Sequence, residues 1–171
     1  AAEQLKQVLR LDPAHVVALT NFGIALHLIK QTKTALDAYN RAISIQPTFD
    51  AAHANLGLAL IDAGDKLAGG HALSLAVALN PLAPLPLFNL ARLTADVPSK
   101  QSEAVAMLRR ALVLKPNLAQ AHNLLGVLLE EQRNRSQEAL NAYATASALN
   151  PSSLEAIFNA ADLHRREGRM L

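Results

Sequence analysis

The chain has no cysteine and no tryptophan, and among its 171 residues it has only four phenylalanines and two tyrosines. Without cysteine there are no disulfides and no thiol catalysis. The same absence assigns no compartment, because a helical chain of this size needs no crosslinks. Charge is also scarce: charged residues make up 18% of the chain and the formal net charge is +2. Such a balance leaves no general electrostatic footprint for nucleic acid. Long apolar runs are missing despite a hydrophobic content of 51%. None reaches the roughly 18 residues that cross a bilayer, so membrane insertion is not expected. The most apolar stretch, 67–79, is interrupted by Gly69, Gly70, His71 and Ser74. Catalytic constellations are lacking as well. Gly69-Gly70 precedes no Lys-Ser or Lys-Thr, and no serine stands with His and Asp in a recognisable frame.

What is present is periodic. Pro13, Pro47, Pro81, Pro116 and Pro151 recur at intervals of 34, 34, 35 and 35 residues. A fixed period of this size is the signature of a repeat architecture. Each proline anchors the same frame. Ten residues after it stands Gly23, Gly57, Ala91, Gly126 or Ala161. Twelve before it stands Ala1, Ala35, Gly69, Ala104 or Ala139, and eight before it Leu5, Tyr39, Leu73, Leu108 or Tyr143. Five before it stands Val8, Ala42, Ala76, Ala111 or Ala146. Matched small residues let two helices approach, and large ones fill the space between them. The proline stops the second helix by removing a donor and clashing with the preceding turn.

The frame Gly23, Ala35, Tyr39, Ala42, Pro47, repeated as Gly126, Ala139, Tyr143, Ala146, Pro151, resembles the tetratricopeptide repeat over essentially the whole chain. The resemblance implies an all-α fold, a right-handed superhelical α-solenoid of stacked antiparallel helix pairs. Departures are visible: Leu19, His53, Leu87, His122 and Ile157 replace the bulky aromatic usual early in the first helix. Gly69 and Gly70 lie inside a second helix, where each costs about 0.8–1 kcal/mol relative to Ala, making 66–80 the softest helix expected.

The pattern predicts helices at 1–12, 16–29, 33–46, 50–63, 66–80, 84–96, 100–115, 118–132, 135–149 and 153–167. Full repeats are expected at 16–49, 50–83, 84–118 and 119–153. Residues 1–15 would be the second helix of a truncated repeat and 154–171 the first helix of another. With no initiator Met and no polar capping helix, a fragment of a longer array, or only its ordered part, is expected. Asp96-Val97-Pro98-Ser99 and Arg133-Asn134-Arg135 are expected to widen two turns within repeats.

Eight residues after each proline, the first helix carries Asn21, Asn55, Asn89, Leu124 and Asn159. Asparagine is a mediocre helix former, so its recurrence at one register points to a shared role. Its side chain offers a donor and an acceptor, the complement of a peptide group. Alternatively, these residues cap or bridge neighbouring helices, or recur through duplication alone. The ladder is similar to that in the repeat arm of O-linked N-acetylglucosamine transferase, where asparagines contact bound polypeptide. Leu124 breaks it, and Asn123 stands one residue away.

Other positions expected on the concave face are Val17, Thr20, Ile24 and Leu28, then Ala54, Leu58 and Ile61, then Phe88 and Arg92. Further along come Gln120, Asn123, Val127 and Glu130, then Glu155, Phe158, Asp162 and Arg165. The trend runs from apolar to charged. The basic residues of a carboxylate clamp are absent beside Asn21 and Asn55, which disfavours capture of chaperone tails. Of six histidines, His53 and His122 share the packing-aromatic register, and no pair has the i, i+4 spacing of metal ligands. His164, Arg165, Arg166 and Arg169 read as a solvated basic face, and Glu130 and Glu131 as solvated carboxylates.

The expected function is a non-catalytic scaffold without a cofactor. It would bind an extended or helical segment of a partner protein through Asn21, Asn55, Asn89, Asn123, Asn159, Ile24, Leu58, Phe88, Arg92 and Phe158. Alternatives are the substrate-recognition arm of a glycosyltransferase whose catalytic domain lies outside this chain, or a structural subunit of a multi-subunit complex.

Overall fold

The computed structural model describes residues 2–132 and 134–168, so readings that rest on Ala1, Arg133 and Arg169 lie outside the described residues. Those residues form ten α-helices and no strands. They are α1 (Ala2–Leu11), α2 (Val16–Leu28), α3 (Thr32–Ile45), α4 (Asp50–Asp62), α5 (Lys66–Leu79), α6 (Pro84–Ala95), α7 (Gln101–Leu114), α8 (Ala119–Glu130), α9 (Ser136–Leu149) and α10 (Leu154–Arg166). None is long and apolar enough to cross a membrane. The chain divides into two compact units, Ala1–Pro86 and Leu87–Leu171. In the first, α1 to α5 pack each on the next and α2 also touches α4; in the second, α7 to α10 do the same and α8 touches α10.

The periodic prolines set the helix ends. The residue before a proline is pushed out of the helical region by the pyrrolidine ring. Gln46, Asn80, Lys115 and Asn150, each preceding one, all adopt φ between −131° and −141° with ψ between 80° and 88°. The chain then closes a short turn, with the Phe49, Ala83 and Ser153 amides donating to the carbonyls of Gln46, Asn80 and Asn150 at 3.1–3.2 Å. The next helix starts at once.

The turn within a repeat follows a different rule. Seventeen residues after the proline stand Lys30, Gly64, Pro98 and Gly168, and Lys30, Gly64 and Gly168 have φ of 63°, 95° and 69°. Proline cannot take a positive φ. At Pro98 the chain makes a 3₁₀ turn instead, Pro98–Lys100, which is the physical reason for the longer connection there. In the following repeat the left-handed residue is Asn134, with φ 63°.

Within the pairs α2–α3, α4–α5 and α8–α9 the helices meet at the small residues. A Cβ on Gly23 would lie 2.5 Å from the Tyr39 ring, and one on Gly126 2.5 Å from the Tyr143 ring. Between α4 and α5 the approach is backbone to backbone: a Cβ on Gly69 would meet the Gly57 carbonyl oxygen at 2.7 Å. The glycine that lowers the helix propensity of α5 is the one that close approach requires. Tyr39, Leu73, Leu108 and Tyr143 are wholly or almost wholly buried, each stabilising its pair by about 1.5–3 kcal/mol through burial of the side chain.

The two tyrosines differ in one atom's environment. The Tyr143 hydroxyl donates to Glu130 Oε2 at 2.8 Å, whereas the buried Tyr39 hydroxyl has no partner. Burial pushes both phenols up from 10.0 to about 12, the Glu131 and Glu155 carboxylates adding to the rise at Tyr143. A pKa raised by folding gives stability that is whole below the unfolded value and is lost as pH rises from about 10 to about 12. Tyr39→Phe should therefore leave stability unchanged or raise it, and should shallow the alkaline slope in urea titrations. Tyr143→Phe should cost about 1–2 kcal/mol, since it strands a carboxylate acceptor. Equal losses in the two variants would refute the assignment.

Candidate functional site

In the second unit, three alternate helices, α6, α8 and α10, face one cleft of about 550 Å3. From α6 come Phe88, Asn89 and Arg92; from α8, Gln120, Asn123, Leu124 and Val127; from α10, Glu155. The helical period puts these residues on one face. Phe88 and Arg92, Gln120 and Leu124, and Asn123 and Val127 are each four apart, one above the other along their helix.

The asparagines divide by environment. Asn89 and Asn123 line the cleft. Asn159 is half-buried outside it, and its Nδ2 donates to Asn123 Oδ1 at 3.1 Å, linking α10 to α8. That bond fixes the Asn123 amide and leaves its NH2 as the donor available to a ligand. In the first unit, Asn55 is half-buried and donates from Nδ2 to the Ala51 carbonyl at 2.8 Å, while Asn21 is exposed. The register that reads as one ladder in the sequence thus holds an asparagine bonded to its own helix, one bridging two helices and one facing the cleft.

The remaining expected positions also separate. Phe88 is buried and offers the cleft only part of its ring, while Phe158, 71% exposed, stands outside it. Ile24 and Leu58 are half-buried, and Ile24 packs against the cluster of Leu26, Ala35, Tyr39 and Ala59. Val17 and Leu28 are exposed. Thr20 is not at an open face: it is buried, and its hydroxyl donates to the Val16 carbonyl at 2.9 Å. Leu124, which interrupts the asparagine register, contributes apolar lining of the cleft.

Glu130 is not a solvated carboxylate. Only 17% of its side chain is exposed, and it accepts from Tyr143 and pairs with Arg166, which also binds Asp162 at 2.9 Å. Arg165 pairs with Asp162 as well, so both described arginines of the basic cluster are matched by carboxylates. The same register carries a second such link: His27 Nε2 lies 3.0 Å from Asp62 Oδ2, joining α2 to α4. Fourteen residues after one proline thus meets fifteen after the next, with the carboxylate on the opposite member of the link. The spacing was visible in the sequence; the pairing needed the geometry of stacked first helices.

His53 and His122 each donate from Nε2 to the carbonyl of the proline six residues earlier, Pro47 and Pro116, at 2.8 Å. They pack as the aromatic does and also satisfy a turn carbonyl. A smaller depression of about 310 Å3 lies over α7, α8 and α9. Its charges are already matched, Arg109 bonding Glu138 at 3.0 Å. Among the described residues no cluster of three or more His, Cys, Asp or Glu has a metal-binding arrangement.

The tetratricopeptide repeat family profile matches residues 129–171. No curated protein sequence matches the chain. Among solved structures, YrrB, described as a TPR protein with an unusual peptide-binding site, superposes with a TM-score of 0.79 at 18% identity, covering 98% of this chain and 86% of that one. PilF of Pseudomonas aeruginosa gives 0.78 at 20% identity, covering 90% and 69%. The APC/C hetero-tetramer Cut9–Hcn1 gives 0.83 at 20% identity, covering 97% of this chain and 33% of that one. The array has the tetratricopeptide-repeat fold, an α-solenoid.

The Glu130 network yields a test within the second unit. Glu130→Gln keeps the shape and removes the charge that holds Arg166 and Tyr143. Amide hydrogen exchange in α10 should accelerate about tenfold, the equivalent of about 1.4 kcal/mol, with α7 unchanged. Unaltered protection of α10 would show that apolar packing alone retains it.

Proposed function

We propose that this tetratricopeptide-fold array is a non-catalytic scaffold that holds an extended segment of a partner protein in the cleft formed by α6, α8 and α10. The observation that carries the reading is the convergence of three side-chain amides, Asn89, Gln120 and Asn123, beside apolar Phe88, Leu124 and Val127 in one cleft of about 550 Å3. Amides complement peptide groups whatever the partner's side chains, and the apolar lining rewards one buried residue. First helices of neighbouring repeats stand about 10 Å apart, so three of them span about 20 Å. An extended chain rises about 3.3 Å per residue, which makes the segment about six residues long. The description of YrrB as carrying a peptide-binding site, on a structure of like fold, supports this reading.

A second reading has its own observation. Leu154 and Phe158, 74% and 71% exposed, lie on α10 away from the cleft, and a structural neighbour belongs to a hetero-tetramer. These favour a place in a larger assembly, which is compatible with the first reading. No feature of the described residues adds support to a glycosyltransferase recognition arm.

A phage-displayed library of short peptides panned on the protein should yield binders. The Asn89→Ala, Asn123→Ala double variant should weaken the best of them about tenfold or more, each lost hydrogen bond contributing about 0.5–1.5 kcal/mol. Far-UV circular dichroism should not change. Failure to select any peptide, or equal affinity for the variant, would remove the cleft from consideration.

A further inference from the structure

Two opposite charges, Arg92 and Glu155, face the cleft. Arg92 on α6 and Glu155 on α10 both line it and both are exposed. Among the described residues neither forms an ion pair or a side-chain hydrogen bond, and they do not pair with each other. Their surroundings make this unusual. Glu130, Asp162, Arg165 and Arg166 on the same helices are bonded among themselves, and Arg109, Arg135 and Glu138 form a second network. Most other charges on α8 to α10 have local partners, whereas these two are aimed at the cleft.

From this geometry we infer that the cleft selects a bipolar segment, with a carboxylate for Arg92, an ammonium or guanidinium for Glu155, and an apolar side chain between them over Leu124 and Val127. This rests on the reading of the cleft as a peptide site. Side chains i, i+2 and i+4 of an extended chain share a face. From i to i+4 the backbone covers about 13 Å, and the length of the two charged side chains covers the rest of the roughly 20 Å span. The recognised pattern is acidic–any–apolar–any–basic, or its reverse, according to the direction in which the segment lies. Low-dielectric walls focus the field of a charge in a cleft, and such complementarity contributes more to selectivity and encounter rate than to raw affinity. A uniformly acidic or basic segment would meet one matching and one repelling charge.

The test uses five end-blocked, fluorescently labelled peptides that share one apolar centre. They carry Glu and Lys at the flanking positions in both orders, Glu at both, Lys at both, or Gln at both. Binding is followed by anisotropy. One of the mixed peptides should bind about three- to tenfold more tightly than the Gln peptide, each exposed ion pair contributing a factor of about five at most. The preference should flatten as added salt screens it. Arg92→Glu should shift the preference to the Lys/Lys peptide and Glu155→Arg to the Glu/Glu peptide. The Arg92→Glu, Glu155→Arg double variant should recover the mixed peptides with their order exchanged. If all five peptides bind alike and the charge variants change nothing, while the Asn89→Ala, Asn123→Ala variant still loses them, the bipolar inference falls and the peptide site stands. If none binds, or the asparagine variant binds them undiminished, both fall.

Discussion

The repeated clash between a proline ring and the residue before it is the constraint on which this structure rests. At four junctions it drives Gln46, Asn80, Lys115 and Asn150 out of the helix into nearly identical extended conformations. A short turn follows each, and the next helix begins directly after it. Within a unit, neighbouring first helices meet at matching offsets from their prolines. The links His27–Asp62 and Glu130–Arg166, and the cleft itself, are consequences of that alignment. A turn without the proline would leave the junction free to vary, and residues a repeat apart would no longer meet.

The fold was legible in the sequence because it is built from this local rule. Helix stops, small-residue contacts and the buried large residues eight before each proline all sit at fixed offsets, so reading one repeat reads the others. The site was less so. Residues at one offset share a position on the helix but not their partners. Asn55, Asn89 and Asn159 occupy one register, yet the first bonds to a carbonyl of its own helix, the second lines the cleft and the third bonds to a neighbouring asparagine. Periodicity predicts where a Cβ points. What a side chain bonds to depends on the neighbouring repeat, which need not share its sequence. Thr20 and Glu130 illustrate the same limit: an outward-facing offset gives no warning that a hydroxyl will close on a carbonyl of its own helix, or that a carboxylate will be covered by an arginine from the next repeat.

The two tyrosines make the point within a single position. Tyr39 and Tyr143 pack on glycine in the same way, but the residue opposite differs. In the register of Glu130, which receives the Tyr143 hydroxyl, the first unit has His27, and its ring is turned to Asp62. A hydroxyl that anchors one pair is thus stranded in the other. Repetition preserves the packing frame, in which the small residue of one helix meets the frame residue of the next. It does not preserve polar contacts, because those join the frame to positions that vary.

That division explains where function can reside. Substituting a frame residue disturbs the pair it belongs to. The outward positions of the first helices carry no such burden, and their chemistry is free to differ from repeat to repeat. In the second unit most of that chemistry is turned inward, to carbonyls and to matched charges between repeats. The amides of Asn89, Gln120 and Asn123 and the charges of Arg92 and Glu155 are what the fold leaves facing outward into one cleft. A folded chain gains little by aligning polar groups that it does not itself satisfy, and alignment of unsatisfied groups over apolar lining is the arrangement that a bound segment completes.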